Sequence, residues 1–218
     1  MEIHTPDGPP HTFRDFVVHL LMIALGVLIA LGAEGVVEYV HHRHMVEEAS
    51  ANLTAELRAN RDTLNNNLPK LKNNEEQLEQ VLTDLQKLKA DRKAKTHDIN
   101  LNLNFFLLSD TSWRTAQATG ALALMNYQQA EDWAGYYDVQ SMLNRLVQSL
   151  EDSWLDMTAA FNPVGSDPAK MTDVQLDILQ QRVQLSLGKL LAVENIGNSL
   201  DKLYGNKLDG KRPASARD

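Results

Sequence analysis

The chain has 218 residues, a formal net charge of −8 and no cysteine. That length holds one domain and an anchor, and the acidic balance lacks the basic stripe that nucleic-acid binding needs. The missing cysteines exclude disulfides, thiolate metal sites and cysteine nucleophiles.

Residues 1–15 form a short N-terminal tail. Phe16 to Val37 then reads FVVHLLMIALGVLIALGAEGVV. About 20 predominantly apolar residues are what a helix needs to cross a hydrocarbon layer, so residues 16–40 are expected to be a transmembrane helix and the bilayer its first partner. A cleaved signal peptide is the rival reading, with Ala30 and Gly32 as a small-residue cleavage site. It is disfavoured because the leading region has only Arg14 against Glu2, Asp7 and Asp15, whereas signal peptides begin basic.

His19, Ile23, Gly26, Ala30, Ala33 and Val37 recur at spacings of three and four and share a face. Small residues let membrane helices approach closely, so this face is a candidate association seam. Small residues are also simply common in such helices. Glu34 and Glu38 lie four apart near the end of the span, followed by His41, His42, Arg43 and His44. Charge within a membrane is a functional-site hypothesis by default, and Glu38–His41 has the E-x-x-H spacing of di-iron bundles. The other carboxylates of such a site are missing, so an interfacial polar collar is the preferred reading. No cofactor is expected. Basic residues after the span, Arg43, Arg58 and Arg61, outnumber Arg14 before it, and that bias alone would place the domain in the cytoplasm.

Residues 41–68 are expected to continue the helix as a stalk, with Val46, Ala49, Leu53, Leu57 and Leu64 on one face. Asn65-Asn66-Asn67 and Pro69 are expected to end it. Residues 69–205 are expected to form an antiparallel helical bundle. Its first helix, 70–95, carries Leu71, Leu78, Val81, Leu82, Leu85 and Leu88 and should pack antiparallel to the stalk across the short gap. His97 to Asn104 is a break with the alternating run Leu101 to Asn104, and His97 has no evident partner. The basic run Lys87–Lys95, interrupted by Asp91, is a solvated helix end.

Asp110 is placed to cap a helix over 111–118, and Gly120 to end it. A helical turn at 121–125 leads into a long helix, 128–160. There Trp133, Tyr137, Gln140, Leu143, Val147, Leu150, Trp154 and Met157 make a near-heptad seam. Pro163, Gly165 and Pro168 mark a turn. Thr172 with Gln175 makes a capping box for a last helix running to about Tyr204. Its seam is Leu176, Leu179, Val183, Leu190, Val193, Leu200 and Tyr204, with Gly188 and Gly197 as points of close helix approach. Residues 206–218 are a polar tail. The fold class is all-α.

There is no phosphate-binding glycine loop, no G-x-S-x-G and no H-E-x-x-H. Ser109-Asp110-Thr111-Ser112 is explained by helix capping. Trp113 and Arg114, with Gly120, are the candidate partner or ligand surface; core packing of the tryptophan is the plainer alternative.

Gly26-Val27-Leu28-Ile29-Ala30-Leu31, Glu56-Leu57 with Asn60 and Leu64, Trp113 to Leu122 (WRTAQATGAL) and Tyr136-Tyr137 together resemble an uncharacterised family of bacterial single-pass inner-membrane proteins with a helical soluble domain. The resemblance implies no activity and no catalytic residue. It implies a domain outside the cytoplasm, although this chain lacks the basic N-terminus of such relatives, and the reading leans periplasmic. The functional expectation is a non-enzymatic accessory, scaffolding or self-assembling subunit, as a homo-oligomer or in another membrane protein complex. Two alternatives stand beside it: a sensory or small-ligand-binding helical module signalling through a partner, and an oligomeric metal or proton site built from Glu34, Glu38, His41, His42 and His44.

Overall fold

A computed structural model describes residues 13–97, 103–161 and 167–210. The N-terminal tail up to residue 12, the start of the alternating run at 101–102, the Pro163–Gly165 turn and the tail from 211 lie outside the described residues. The chain is all-α, as its periodicities require. In order come α1 (Phe13–Ala90), α2 (Thr111–Ala118), α3 (Ala121–Leu124), α4 (Tyr127–Ala159), a 3-10 turn (Pro168–Lys170) and α5 (Asp173–Leu208). It divides into two units, Met1–Glu48 and Ala49–Asp218.

The described part of the first unit is helical throughout. It contains an 18-residue window of mean hydropathy 2.6, none of which is buried, and it is long and apolar enough to cross a membrane.

In the second unit the expected break at Pro69 does not occur: α1 passes through it to Ala90. A proline inside a helix removes the hydrogen bond to the carbonyl four residues back, at a cost of about 3 kcal/mol. Two features offset that cost here. Asn65, whose carbonyl loses its partner, and Pro69 are both exposed, so water reaches the freed group. The buried stripe also continues on both sides, with Leu53, Leu57, Leu64, Leu68, Leu71, Leu78, Val81, Leu85 and Leu88 all in the core. Residues 49–68 are therefore core rather than a separate stalk, and 70–90 is not a second helix folded back upon it.

The partners of α1 are α4 and α5. Ser50 meets Gln129, Glu56 meets Tyr137 and Asn60 meets Gln140, a rising register that makes α1 and α4 parallel. Arg61 meets Asp201, Lys89 meets Asp177 and Arg92 meets Asp173, a falling register that makes α5 antiparallel to α1. α5 is antiparallel to α4 as well, through Ser153–Ser186 and Gln140–Tyr204.

The expected seams of α4 and α5 are buried at every named position. The capping box forms, with Gln175 N donating to Thr172 Oγ1 and Thr172 N donating to Gln175 Oε1. α5 ends at Leu208, four residues beyond the expected Tyr204. Gly197 marks a close approach: a Cβ there would lie 2.7 Å from Leu68 Cδ2. At Gly188 the space is open.

Candidate functional site

The sequence singles out three sets of residues, and the structure treats them differently. His19, Ile23, Gly26, Ala30 and Ala33 are all exposed, and nothing lies within 4 Å of a Cβ built on Gly26. In the interfacial set, Glu38 Oε1 lies 3.7 Å from His42 Nε2, one helical turn on. Glu34, Glu38, His41 and His44 are exposed and His42 half-buried. No group of three or more candidate metal ligands converges among the described residues.

Trp113 is half-buried and stacks on Tyr137, with ring centroids 5.0 Å apart and planes 15° from parallel. Arg114 is exposed and pairs with Asp110 at 3.0 Å. Gly120 adopts φ +77°, the left-handed conformation that glycine tolerates without a Cβ clash, and ends α2 as expected. Trp113 is therefore attached to the bundle core, whereas Arg114 faces solvent.

Asp110 does not cap α2, since its side chain accepts no cap hydrogen bond. Ser109 Oγ accepts from the Thr111 backbone N–H at 3.3 Å, and the rest of the cap comes from another helix. Glu56 of α1 accepts from the backbone N–H of Ser112 at 2.9 Å and from Ser109 Oγ at 2.8 Å through Oε2. Its Oε1 accepts from Tyr137 Oη at 2.7 Å. A carboxylate at a helix N-terminus satisfies free amides and complements the dipole. Sequence inspection misses this because capping is sought within a few residues, and Glu56 lies far upstream.

Glu56 opens a buried polar network. Asn60 grips the backbone of Ser109 from both sides: its Oδ1 accepts from Ser109 N at 2.9 Å and its Nδ2 donates to Ser109 O at 2.7 Å. Asn144 does the same at Leu108, at 3.0 and 2.9 Å. Gln140, 1% exposed, donates to Ser109 O and accepts from Asn60 Nδ2 and Tyr204 Oη. Burial, reinforced by the hydrogen bond to Glu56, holds the Tyr137 phenol neutral far above its ordinary range. Burial likewise raises Tyr204, against an opposing contact with Asn60. One sequence signal does point here: Glu56 and Asn60 interrupt the apolar stripe at positions that face the core, and buried polar groups require partners.

A second cluster holds the chain just after α1. Asp84, 3% exposed, accepts from the His97 backbone N–H at 2.8 Å, from the His97 ring at 2.9 Å and from Lys87 at 3.1 Å. Burial pushes this carboxyl up, but the hydrogen bonds from His97 and Lys87 outweigh it and bring it down to about 2. His97 thus has a partner that its sequence surroundings do not reveal.

Chemically, the two clusters fasten the non-helical segments. The Glu56 network binds the 103–110 segment and the start of α2 to all three long helices, with its donors and acceptors engaged on one another. An open groove of about 310 Å³ lies elsewhere, beside Pro69, lined by Asn65, Leu68, Lys72, Glu194, Asn198 and Asp201. No protein-family model, no curated protein and no solved structure matches this chain.

Proposed function

We propose that this chain is a membrane-anchored, non-enzymatic helical protein of the bacterial inner membrane, with residues 16–40 in the bilayer and the helical bundle on the periplasmic side. It acts as an accessory or scaffolding subunit that assembles with itself or with another membrane complex. The observation that carries the anchor is the first unit of α1. From Phe16 to Val40 almost every large apolar side chain is more than half exposed. A predominantly apolar surface of that length is untenable in water, whereas in lipid a helix satisfies every backbone group internally. The subunit role is supported by the Glu56 network, whose polar groups are occupied with one another, and by the small-residue face at Gly26, Ala30 and Ala33.

Fractionation of cells expressing the full chain tests this reading. The protein is expected in the membrane pellet, resistant to alkaline and high-salt washing and released by detergent. Protease added to spheroplasts is expected to digest the bundle. Recovery in the soluble fraction would overturn the anchor, and protection from protease in intact spheroplasts would overturn the periplasmic placement.

A further inference from the structure

α5 buries Leu176, Leu179, Val183, Leu190, Val193 and Leu200 against its neighbours, yet its outward face is not polar. Val174, Ile178 and Leu185 are 67%, 43% and 56% exposed. With Gln181, Gly188 and Ala192 they continue an alternation of four and three residues, the spacing of a coiled-coil seam. A surface helix is ordinarily polar opposite its buried stripe. From residue 49 to 90, α1 exposes no comparable large apolar side chain. Leu155 of α4 is 59% exposed and is next in sequence to Asp156, whose carbonyl accepts from Arg182.

The charges beside this stripe indicate what covers it. Arg182 lies on the flank toward α4, and Asp177 on the flank toward α1, where it pairs with Lys89. Flanking residues of a coiled-coil seam form the pairs that set partner and orientation. When two copies run parallel, a residue on one flank faces the residue five positions later on the partner's opposite flank. Asp177 then faces the partner subunit's Arg182, and Arg182 faces the partner subunit's Asp177. An antiparallel pair would set each flank against the same flank of the partner, Asp177 and Gln184 on one side and Arg182 and Lys189 on the other, so that no opposite charges would meet. Charge complementarity therefore selects a second copy of this chain in parallel.

We propose that the outer face of α5 is a homodimer seam, parallel along Val174, Ile178 and Leu185 and set in register by Asp177 and the partner subunit's Arg182. The proposal rests on the membrane-anchored reading. A few side chains fall short of the roughly 800 Å² per partner of a standard interface, so the seam acts between copies that the membrane already holds at high effective concentration.

The chain has no cysteine, so a single introduced thiol reports on one position. Ile178→Cys and, as a control on another face of the bundle, Gln86→Cys are expressed in the full chain. Membrane and soluble fractions are separated and each is oxidised. The expected result is a disulfide-linked band at twice the chain mass for Ile178→Cys and little for Gln86→Cys. In the Ile178→Cys background, Asp177→Arg or Arg182→Asp should reduce that band, and the two together should restore it. Equal cross-linking at 178 and 86, a cross-link to a different protein, or failure of the double reversal to restore the band would overturn the seam. The fraction that holds the chain judges the anchor separately. A soluble chain that still cross-links at 178 refutes the anchor and keeps the seam; a membrane-bound chain that does not refutes the seam alone.

Discussion

Glu56 gathers three hydrogen bonds, from Tyr137 Oη, Ser109 Oγ and Ser112 N, on one carboxylate. Glu56→Ala would leave the buried Tyr137 Oη and the half-buried Ser112 N without their acceptor, while Ser109 Oγ keeps Thr111 Oγ1. Buried donors stripped of a charged acceptor cost about 3 kcal/mol. The expected outcome is a lower urea midpoint in detergent, with new protease cleavage in the 103–110 segment. Asp84 gives a test by pH. Its folded carboxyl lies near 2, below the ordinary 3.8. The stabilisation it supplies is therefore complete above about pH 4 and lost as pH falls through 2. His97 and Lys87 are about half exposed, so screening trims the effect to about 1–2 kcal/mol. Asp84→Asn should be less stable than the parent at pH 6, and the gap should narrow toward pH 2.5, measured as urea midpoints. These contacts are not legible locally: Glu56 is 56 residues before its amide partner at Ser112, and only packing brings them together.

At the scale of elements, α4 and α5 are legible because their core residues repeat at three and four and their ends carry local signals, the Thr172–Gln175 box above all. α1 is not, because Pro69 is a strong local stop and the contacts that override it come from α4 and α5. Pro69→Ala should return the hydrogen bond to Asn65 O. After allowing for the greater freedom of the unfolded chain, thermal stability should rise by about 1–2 kcal/mol. A melting temperature that falls would mean that the proline relieves a packing conflict at this turn. At Gly197 the added methyl meets the end of the Leu68 side chain, which can turn away only by giving up core packing. Gly197→Ala is therefore expected to destabilise by about 1 kcal/mol, despite the better helix propensity of alanine. A reciprocal Leu68→Val substitution should relieve part of that loss.

For the whole molecule, two kinds of surface meet on one chain. Residues 16–40 expose apolar side chains on every side, and the bundle from Ala49 onward exposes few, gathered partly on the outer face of α5. The first is read from composition alone, because a stretch of about twenty predominantly apolar residues needs no partner to be recognised. By itself the sequence determines the all-α class, the apolar segment, the seams of α4 and α5, the capping box at Thr172 and the turn at Gly120. Each of these follows from residues within a few positions of one another, where period, capping and glycine conformation are local physics. Only the tertiary structure decides that α1 runs unbroken to Ala90, that it lies parallel to α4, and that Glu56, Asn60 and Asp84 hold the loops. Those outcomes depend on groups distant in sequence, whose burial energy and hydrogen bonds exist only once the helices are packed.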